Sequence, residues 1–314
     1  MNYKQPKKNW TLNDMPDQTG KIVVITGGTS GVGYEDAKAF AMKNAMIHIL
    51  AHNLEKGQKA IAELKHETGN QNIFFHSVNL MSITAIKEFA KKLLETTPKI
   101  DVLINNAGIM MPAQARLSED GLESMWATNY FGGFTLTMSL LPALKKSTHA
   151  RVVNLTSLAT GKPEIDLDNL DGHDYNAWKV YIATKMAQAM ISRKLNSIFQ
   201  EQNISVTVLA ASPGLAATNL VTKKAGATSI MMRVGAILFK VFPNIRQSAS
   251  QAALPTLYAA TDSNAEGGAV YAPNNKQGTK GYPALWGWNE SKYMDMETAS
   301  KLLDKSLEIV DDKL

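Results

Sequence analysis

Tyr181-Ile182-Ala183-Thr184-Lys185 sets a phenol and an ammonium four residues apart. On a helix such residues share one face, so the Lys185 ammonium can stand near the Tyr181 phenol and favour its ionised form. A phenol with an ordinary pKa near about 10 carries protons poorly at pH 7, and a neighbouring cation brings it into range. Tyr-x3-Lys alone arises often by chance on helix surfaces. Its company gives it weight. Upstream, Val152-Val153-Asn154-Leu155-Thr156-Ser157 is an apolar run that ends in hydroxyls. Earlier still, another apolar run enters Asn105-Asn106-Ala107-Gly108, and Asn129 follows in a segment of helical period. The chemistry these groups suit is proton transfer to or from a substrate oxygen.

A second constellation lies near the N-terminus, where Thr26-Gly27-Gly28-Thr29-Ser30-Gly31-Val32-Gly33 follows one apolar run and precedes a helical one. Glycines there let the backbone turn tightly, let a pyrophosphate approach and let the helix pack close to the strand, while the helix N-terminus offers unpaired N–H groups. The spacing is Gly-x3-Gly-x-Gly, so a tight turn alone would explain it; the strand before and the helix after point to a nucleotide. Dinucleotide folds that select NAD place a carboxylate on the ribose 2′-hydroxyl about 20 residues onward. Here the second apolar run ends in Ala51-His52-Asn53. With no carboxylate to repel a 2′-phosphate, and with His52, Ser30, Thr29 and Lys56 able to donate hydrogen bonds, NADP is favoured. NAD stays open, because no arginine supplies a bidentate fork, and His52 also reads as an ordinary strand-end histidine.

The elements that must position these groups follow from the pattern of apolar residues. Short runs rich in Val and Ile at Ile22 to Thr26, Met46 to Ala51, Ile73 to Val78, Val102 to Asn105, Val152 to Thr156 and Val206 to Ala210 read as buried parallel strands, with a seventh at Ala269 to Ala272. Helix-like stretches such as Tyr34 to Lys43 and Lys56 to Glu67 lie between them. Right-handed crossovers on both faces then build an α/β fold of the doubly wound Rossmann type, with about seven strands. No linker divides the chain, so the expected organisation is an arm over 1–20 and one domain over 21–314, with a substrate-covering segment at about 215–242.

Composition narrows the function classes. The 314 residues include no cysteine, which excludes disulfides and thiolate metal sites. The six histidines are dispersed and no acidic cluster suggests a metal. Thirty-three Lys and Arg against twenty-eight Asp and Glu give a net charge of +5, but they are scattered as on a solvated surface, so no nucleic-acid partner is expected. No secretory signal opens the chain and no apolar run reaches the ~18 residues of a membrane span, so a cytoplasmic location is expected. Ile230 to Phe242, interrupted by Arg233 and Lys240, is too short to span; it could lie on a lipid surface or cover an apolar pocket.

Together these motifs resemble the short-chain dehydrogenase/reductase family, from about Gly20 to Tyr271. The glycine loop at 26–33, Asn-Asn-Ala-Gly at 105–108, Asn129, Ser157 and Tyr-x3-Lys at 181–185 occur in the family's order, and Pro213-Gly214 follows the sixth strand. Asn105 to Met111, Asp120-Gly121 and Asn129 to Phe134 look most like the retinol dehydrogenase branch. The resemblance implies that Tyr181 is the general acid in reduction and the base in oxidation, and that Lys185 lowers its pKa and holds the nicotinamide ribose. It implies further that Ser157 hydrogen-bonds the substrate oxygen and that Asn129 anchors a proton-relaying water. Gly27, Ser30 and Val32 would line the pyrophosphate and Asn79 would lie near the adenine, with Thr29, Gly31, Gly33, Asn53 and Leu80 also expected to bind the cofactor. Asn106, Ala107 and Gly108 would run beneath the adenine ribose and nicotinamide side, and Pro213, Gly214 and Thr218 would enclose the carboxamide and phosphate. Asn79 stands where many relatives have aspartate, and His52 where NADP-preferring relatives often have arginine. The apolar N-terminal anchor of the membrane-bound retinol enzymes is missing here, as is the pocket cysteine of the light-driven protochlorophyllide reductases. The resemblance also suggests a homodimer or homotetramer through the helices that carry Asn129 and Tyr181.

Substrate recognition is expected after Pro213. Met231, Met232, Leu238 and Phe239, with Tyr282, Trp286 and Trp288, suit an apolar carbonyl or alcohol, or pack against the core or a neighbouring subunit. The expected function is an NADP(H)-dependent carbonyl–alcohol oxidoreductase; the competing reading is a catalytically silent NAD(P)-binding regulatory protein.

Overall fold

A computed structural model describes residues 3–158, 165–216, 247–287 and 295–312. Their centre is one sheet in the order β3-β2-β1-β4-β5-β6-β7-β8. The strands are β1 (Ile22–Thr26), β2 (Met46–Ala51), β3 (Ile73–Ser77), β4 (Val102–Asn105), β5 (Ala150–Leu155), β6 (Val206–Ala211), β7 (Val270–Pro273) and β8 (Pro283–Leu285). The first seven pair in parallel and β8 runs antiparallel to β7. The eighth strand corrects the expected count of about seven. It is three residues long and begins with proline, so it carries no apolar run to read; a proline is tolerated there because β8 is an edge strand.

Helices α1 (Gly31–Met42), α2 (Leu54–Thr68), α3 (Ile83–Thr96), α4 (Gly132–Leu144), α5 (Ala177–Glu201), α6 (Ala249–Thr261) and α7 (Met296–Val310) cover the sheet. Two buried clusters sit on its opposite faces. One joins Val24, Leu103 and Val152 to α3, α4, α5 and α7; the other joins Val23, Ile25 and Ile104 to α1 and α6. Alternation along each strand sends neighbouring side chains to opposite layers, which is why the strands read as unbroken apolar runs. Residues 3–20 dock on the second layer, where Trp10 is fully buried, packs edge-on against Tyr258 and donates from Nε1 to Asp262 at 2.9 Å.

β1 lies between β2 and β4, so the chain leaves it to one side and returns on the other. At such a switch point the loops diverge and open a crevice beyond the strands' C-terminal ends. Two side-chain features hold the strands below it. Asn105 on β4 donates to Asn154 on β5 at 2.8 Å and to Thr137 on α4 at 3.0 Å, and Asn154 donates to Ser192 on α5 at 2.8 Å. On β2 and β3, His48 Nδ1 and His76 Nε2 share a proton at 2.9 Å.

That histidine pair predicts acid sensitivity. Burial, and then the neighbouring imidazole, depress His48 to about 4, and burial also lowers His76. The unfolded chain takes up the His48 proton below about pH 6.5, so the pair's contribution is present at neutral pH and is lost as pH falls from there towards 4. The lost stability is on the order of 3 kcal/mol for a shift from 6.5 to about 4. The fall in urea midpoint between about pH 7 and pH 4.5 is expected to be smaller in His48→Leu than in the natural chain; equal falls would remove the pair as the cause.

Candidate active site

The crevice encloses a cavity of about 700 Å³, and the ends of β1 to β6 all contribute to it. After β1 come Gly27, Thr29, Ser30, Gly31 and Val32; after β2, Ala51 and His52; after β3, Val78, Asn79, Leu80 and Met81. After β4 come Asn106 to Met110, after β5 Thr156 and Ser157, and after β6 Pro213, Gly214, Leu215 and Ala216. Tyr181 and Lys185 of α5 complete the wall.

Gly27 turns the chain at φ +70° and Gly31 opens α1 at φ +61°, both in the left-handed region. Ser30 caps α1 with its backbone while its side chain makes no capping bond, so the first N–H groups of α1 and the Ser30 hydroxyl face the cavity without a side-chain cap between them. A Cβ at Gly27 would stand 2.9 Å from Asn106 Nδ2. That amide donates to the Thr26 and Gly27 carbonyls at 2.8 and 3.2 Å, and the Ala107 N–H donates to Thr26 Oγ1 at 3.0 Å. The two loops are thereby sewn into one floor. Gly33 does not line the cavity; its missing side chain leaves the space that the Asn106 carboxamide and Gly27 carbonyl fill.

On the opposite wall, α5 is strapped to β5 at the height of the Tyr–Lys pair. Thr156 Oγ1 donates to the Lys185 carbonyl at 2.6 Å, and Lys185 Nζ donates to the Leu155 carbonyl at 2.8 Å and to Gln188 Oε1 at 3.0 Å. Lys185 is only 6% exposed, and burial lowers its pKa to about 7. Burial raises Tyr181, and a hydrogen bond with Ser157 opposes part of that rise. Phenol and Ser157 hydroxyl therefore meet on the same buried wall that Lys185 lines.

Asn129 lies close by but does not line the cavity. The chain there is a π-helical turn, Trp126–Phe131, begun by the buried Glu123 carboxylate, which accepts from the Met125 and Trp126 N–H groups at 2.8 and 3.3 Å. Asn129 accepts from the Ile109 N–H at 2.7 Å and donates to the Ile109 carbonyl at 3.1 Å and Thr184 Oγ1 at 3.2 Å. Its amide thus ties the turn after β4 to α5. Asn53 is also outside the cavity: it caps α2 by accepting from the Lys56 N–H at 2.8 Å. Thr218, the 217–242 part of the covering segment and Trp288 lie outside the described residues. Tyr282 packs beside the β1-side core and Trp286 beside Ile182, Met186 and Met190.

Sequence reasoning missed Ile109, Met110, Thr128 and Thr156 in the wall, Gln188 beside Lys185, and Trp178. Trp178 is 37% exposed, one helical turn before Tyr181, with its ring stacked on the phenol at 6.5 Å and 29°. The i, i+3 spacing from Tyr181 and from Lys185 was the available signal for both.

The residues present fit a nicotinamide dinucleotide. A helix N-terminus and a side-chain-free glycine loop suit the pyrophosphate, and the buried Lys185 and Tyr181 face the other end of the same cavity. Comparison with known proteins agrees. Residues 21–228 match the short chain dehydrogenase family. Human retinol dehydrogenase 11 is 34% identical over 236 residues, 75% of this chain and 72% of that protein. Human polyprenol dehydrogenase is 31% identical over 269 residues, 83% of this chain and 79% of that protein. A crystal structure of an uncharacterised protein from Mycobacterium paratuberculosis superposes with a TM-score of 0.77 at 27% identity, covering 98% of this chain and 99% of that one. The order of the strand-end motifs, the crevice they build and these likenesses lead to one conclusion: the chain belongs to the short-chain dehydrogenase/reductase family, in its retinol dehydrogenase-like branch, and is an NAD(P)-dependent oxidoreductase acting between carbonyl and alcohol.

Proposed function

We propose that the chain is an NADP(H)-dependent reductase and dehydrogenase of an apolar carbonyl or alcohol, with Tyr181 as proton carrier. The carrying observation is the cavity wall that Tyr181, its hydrogen-bonded partner Ser157 and the buried Lys185 line together. In reduction Tyr181 Oη gives its proton to the substrate oxygen as negative charge develops there, and Ser157 Oγ donates to the same oxygen. In oxidation the phenolate takes the alcohol proton back. Lys185, when protonated, stabilises that phenolate and donates to the nucleotide ribose. Asn129 acts from outside the cavity by holding the Gly108–Ile109 turn and α5 at fixed separation. The nicotinamide, when bound, supplies or accepts the hydride. We propose one domain over 21–314, with 1–20 as a docked arm.

The apolar substrate class is supported by the wall of Ile109, Met110, Leu155 and Leu215 and by the exposed Trp178 ring beside the phenol. Two of the similar enzymes are named for long apolar alcohols, retinol and polyprenol. NADP is supported by the exposed His52 in the cavity wall after β2, with no carboxylate among the described residues that line the cavity. A panel of carbonyls from short aldehydes to retinal and steroid ketones, followed at the NADPH absorbance, tests the class; the long apolar members are expected to give the higher kcat/KM, and a preference for small polar aldehydes overturns it. The ratio of kcat/KM for NADPH over NADH is expected above one, and a ratio below one overturns the cofactor choice. Among the described residues no helix is long and apolar enough to cross a membrane.

A further inference from the structure

We propose that Gln188 is the positioning residue of the Lys185 ammonium. Lys185 Nζ has three N–H groups when protonated. One goes to the Leu155 carbonyl at 2.8 Å and one to Gln188 Oε1 at 3.0 Å, which leaves a single N–H for whatever occupies the cavity. A Cβ on Gly108 would stand 3.3 Å from Nζ, so the ammonium lies against the cavity floor. Gln188 is itself 3% exposed and lies one turn beyond Lys185 on the same helix face. Its backbone is fixed as well: the Gln188 carbonyl accepts from Ser192 Oγ at 2.6 Å, and Ser192 is held by Asn154 of β5. The sheet thereby anchors the backbone from which the buried Gln188 side chain reaches Lys185 Nζ.

A buried ammonium keeps its proton only if fixed dipoles replace the water it has lost. The Leu155 carbonyl belongs to the backbone and cannot be mutated away, so Gln188 is the side chain through which the chain sets both the direction of the free N–H and the pH range in which Lys185 is charged. Gln188 is not among the described residues that line the cavity, so it acts through Lys185.

The inference rests on the reading of Lys185 as part of the nucleotide site, and the experiment separates the two. NADPH affinity is measured by fluorescence titration against pH for the natural chain, Gln188→Met, which keeps the length and removes the acceptor, and Gln188→Glu, which keeps an acceptor and adds a charge. In the natural chain affinity falls as Lys185 deprotonates. In Gln188→Met that fall is expected about one pH unit lower, with affinity at neutral pH down about tenfold; in Gln188→Glu it is expected at higher pH. Thermal midpoints taken alongside report structural damage, which would lower stability without moving the pH profile. Profiles for Gln188→Met and the natural chain that superimpose overturn the inference alone. A natural chain that binds no nicotinamide nucleotide overturns the reading beneath it.

Discussion

Tyr181→Phe is expected to lower turnover of every substrate by about 10²–10⁴-fold, the usual worth of a positioned proton carrier, while NADPH affinity stays within about twofold. The substitution removes one oxygen and little else. The ring keeps its stacking on Trp178, and the backbone of α5 keeps the Thr184 Oγ1 bond to the Tyr181 carbonyl at 2.9 Å. Stability is expected to change little. Steady-state rates in both directions, with nucleotide titration of the same preparation, check this. Full activity in Tyr181→Phe would remove the phenol from the mechanism, whatever the likeness to dehydrogenases.

Lys185→Met is expected to separate function from stability more sharply. A buried ammonium is costly, and its pKa, depressed to about 7 by desolvation, means that the unfolded chain holds the proton more tightly than the fold does. By linkage that penalty is full well below pH 7, shrinks as pH rises, and vanishes above about 10.5, where the amine is neutral in both states. Methionine has similar length and no charge, and replacing a buried charge by an apolar side chain is often neutral or stabilising. Against this, the Leu155 carbonyl and Gln188 Oε1 each lose a donor, at about 1–3 kcal/mol apiece for a group left unsatisfied. The opposing quantities are of similar size, so the thermal midpoint near pH 7 is expected to stay within a few degrees of the natural chain. Turnover is expected to fall by at least about 100-fold and NADPH affinity with it, since the phenolate loses its cation and the ribose a donor. Calorimetry and nucleotide titration on one sample decide the matter. A large drop in midpoint with nucleotide affinity intact would make Lys185 a structural residue.

The two variants also bear on how far the sequence alone could go. The parallel strands were legible to within a residue or two because most are buried on both faces, and the edge strand β3 still carries an apolar Ile73-Phe74-Phe75 run. Thr26 to Gly33 and Tyr181 to Lys185 were legible because a loop and one helical turn are local: spacing in the chain is spacing in space. Asn129 shows where that stops. A helical period was visible around it, but the π-helical turn depends on the Glu123 carboxylate taking the first N–H groups and on Gly132 fitting against the Leu80 carbonyl. The Leu80 contact, made across more than fifty residues, is not a property of the local pattern. There the Asn129 amide clamps the Ile109 turn to α5 through bonds to Ile109 and Thr184. The edge strand β8 escaped notice because three residues that begin with proline bury too little to leave a pattern.

By itself the sequence determined the layer architecture, the glycine loop that needs left-handed backbone at Gly27 and Gly31, and the chemical groups available for proton transfer. Tertiary structure decided their states. Only packing shows that Lys185 is dry enough to titrate near neutrality, that Ser157 reaches Tyr181, and that His48 and His76 share a proton across two strands. The physical reason is that a side chain's charge and proton affinity depend on how much water its neighbours exclude. Those neighbours come from other strands and helices, such as Leu155 for Lys185 and His76 for His48, and local spacing does not encode them.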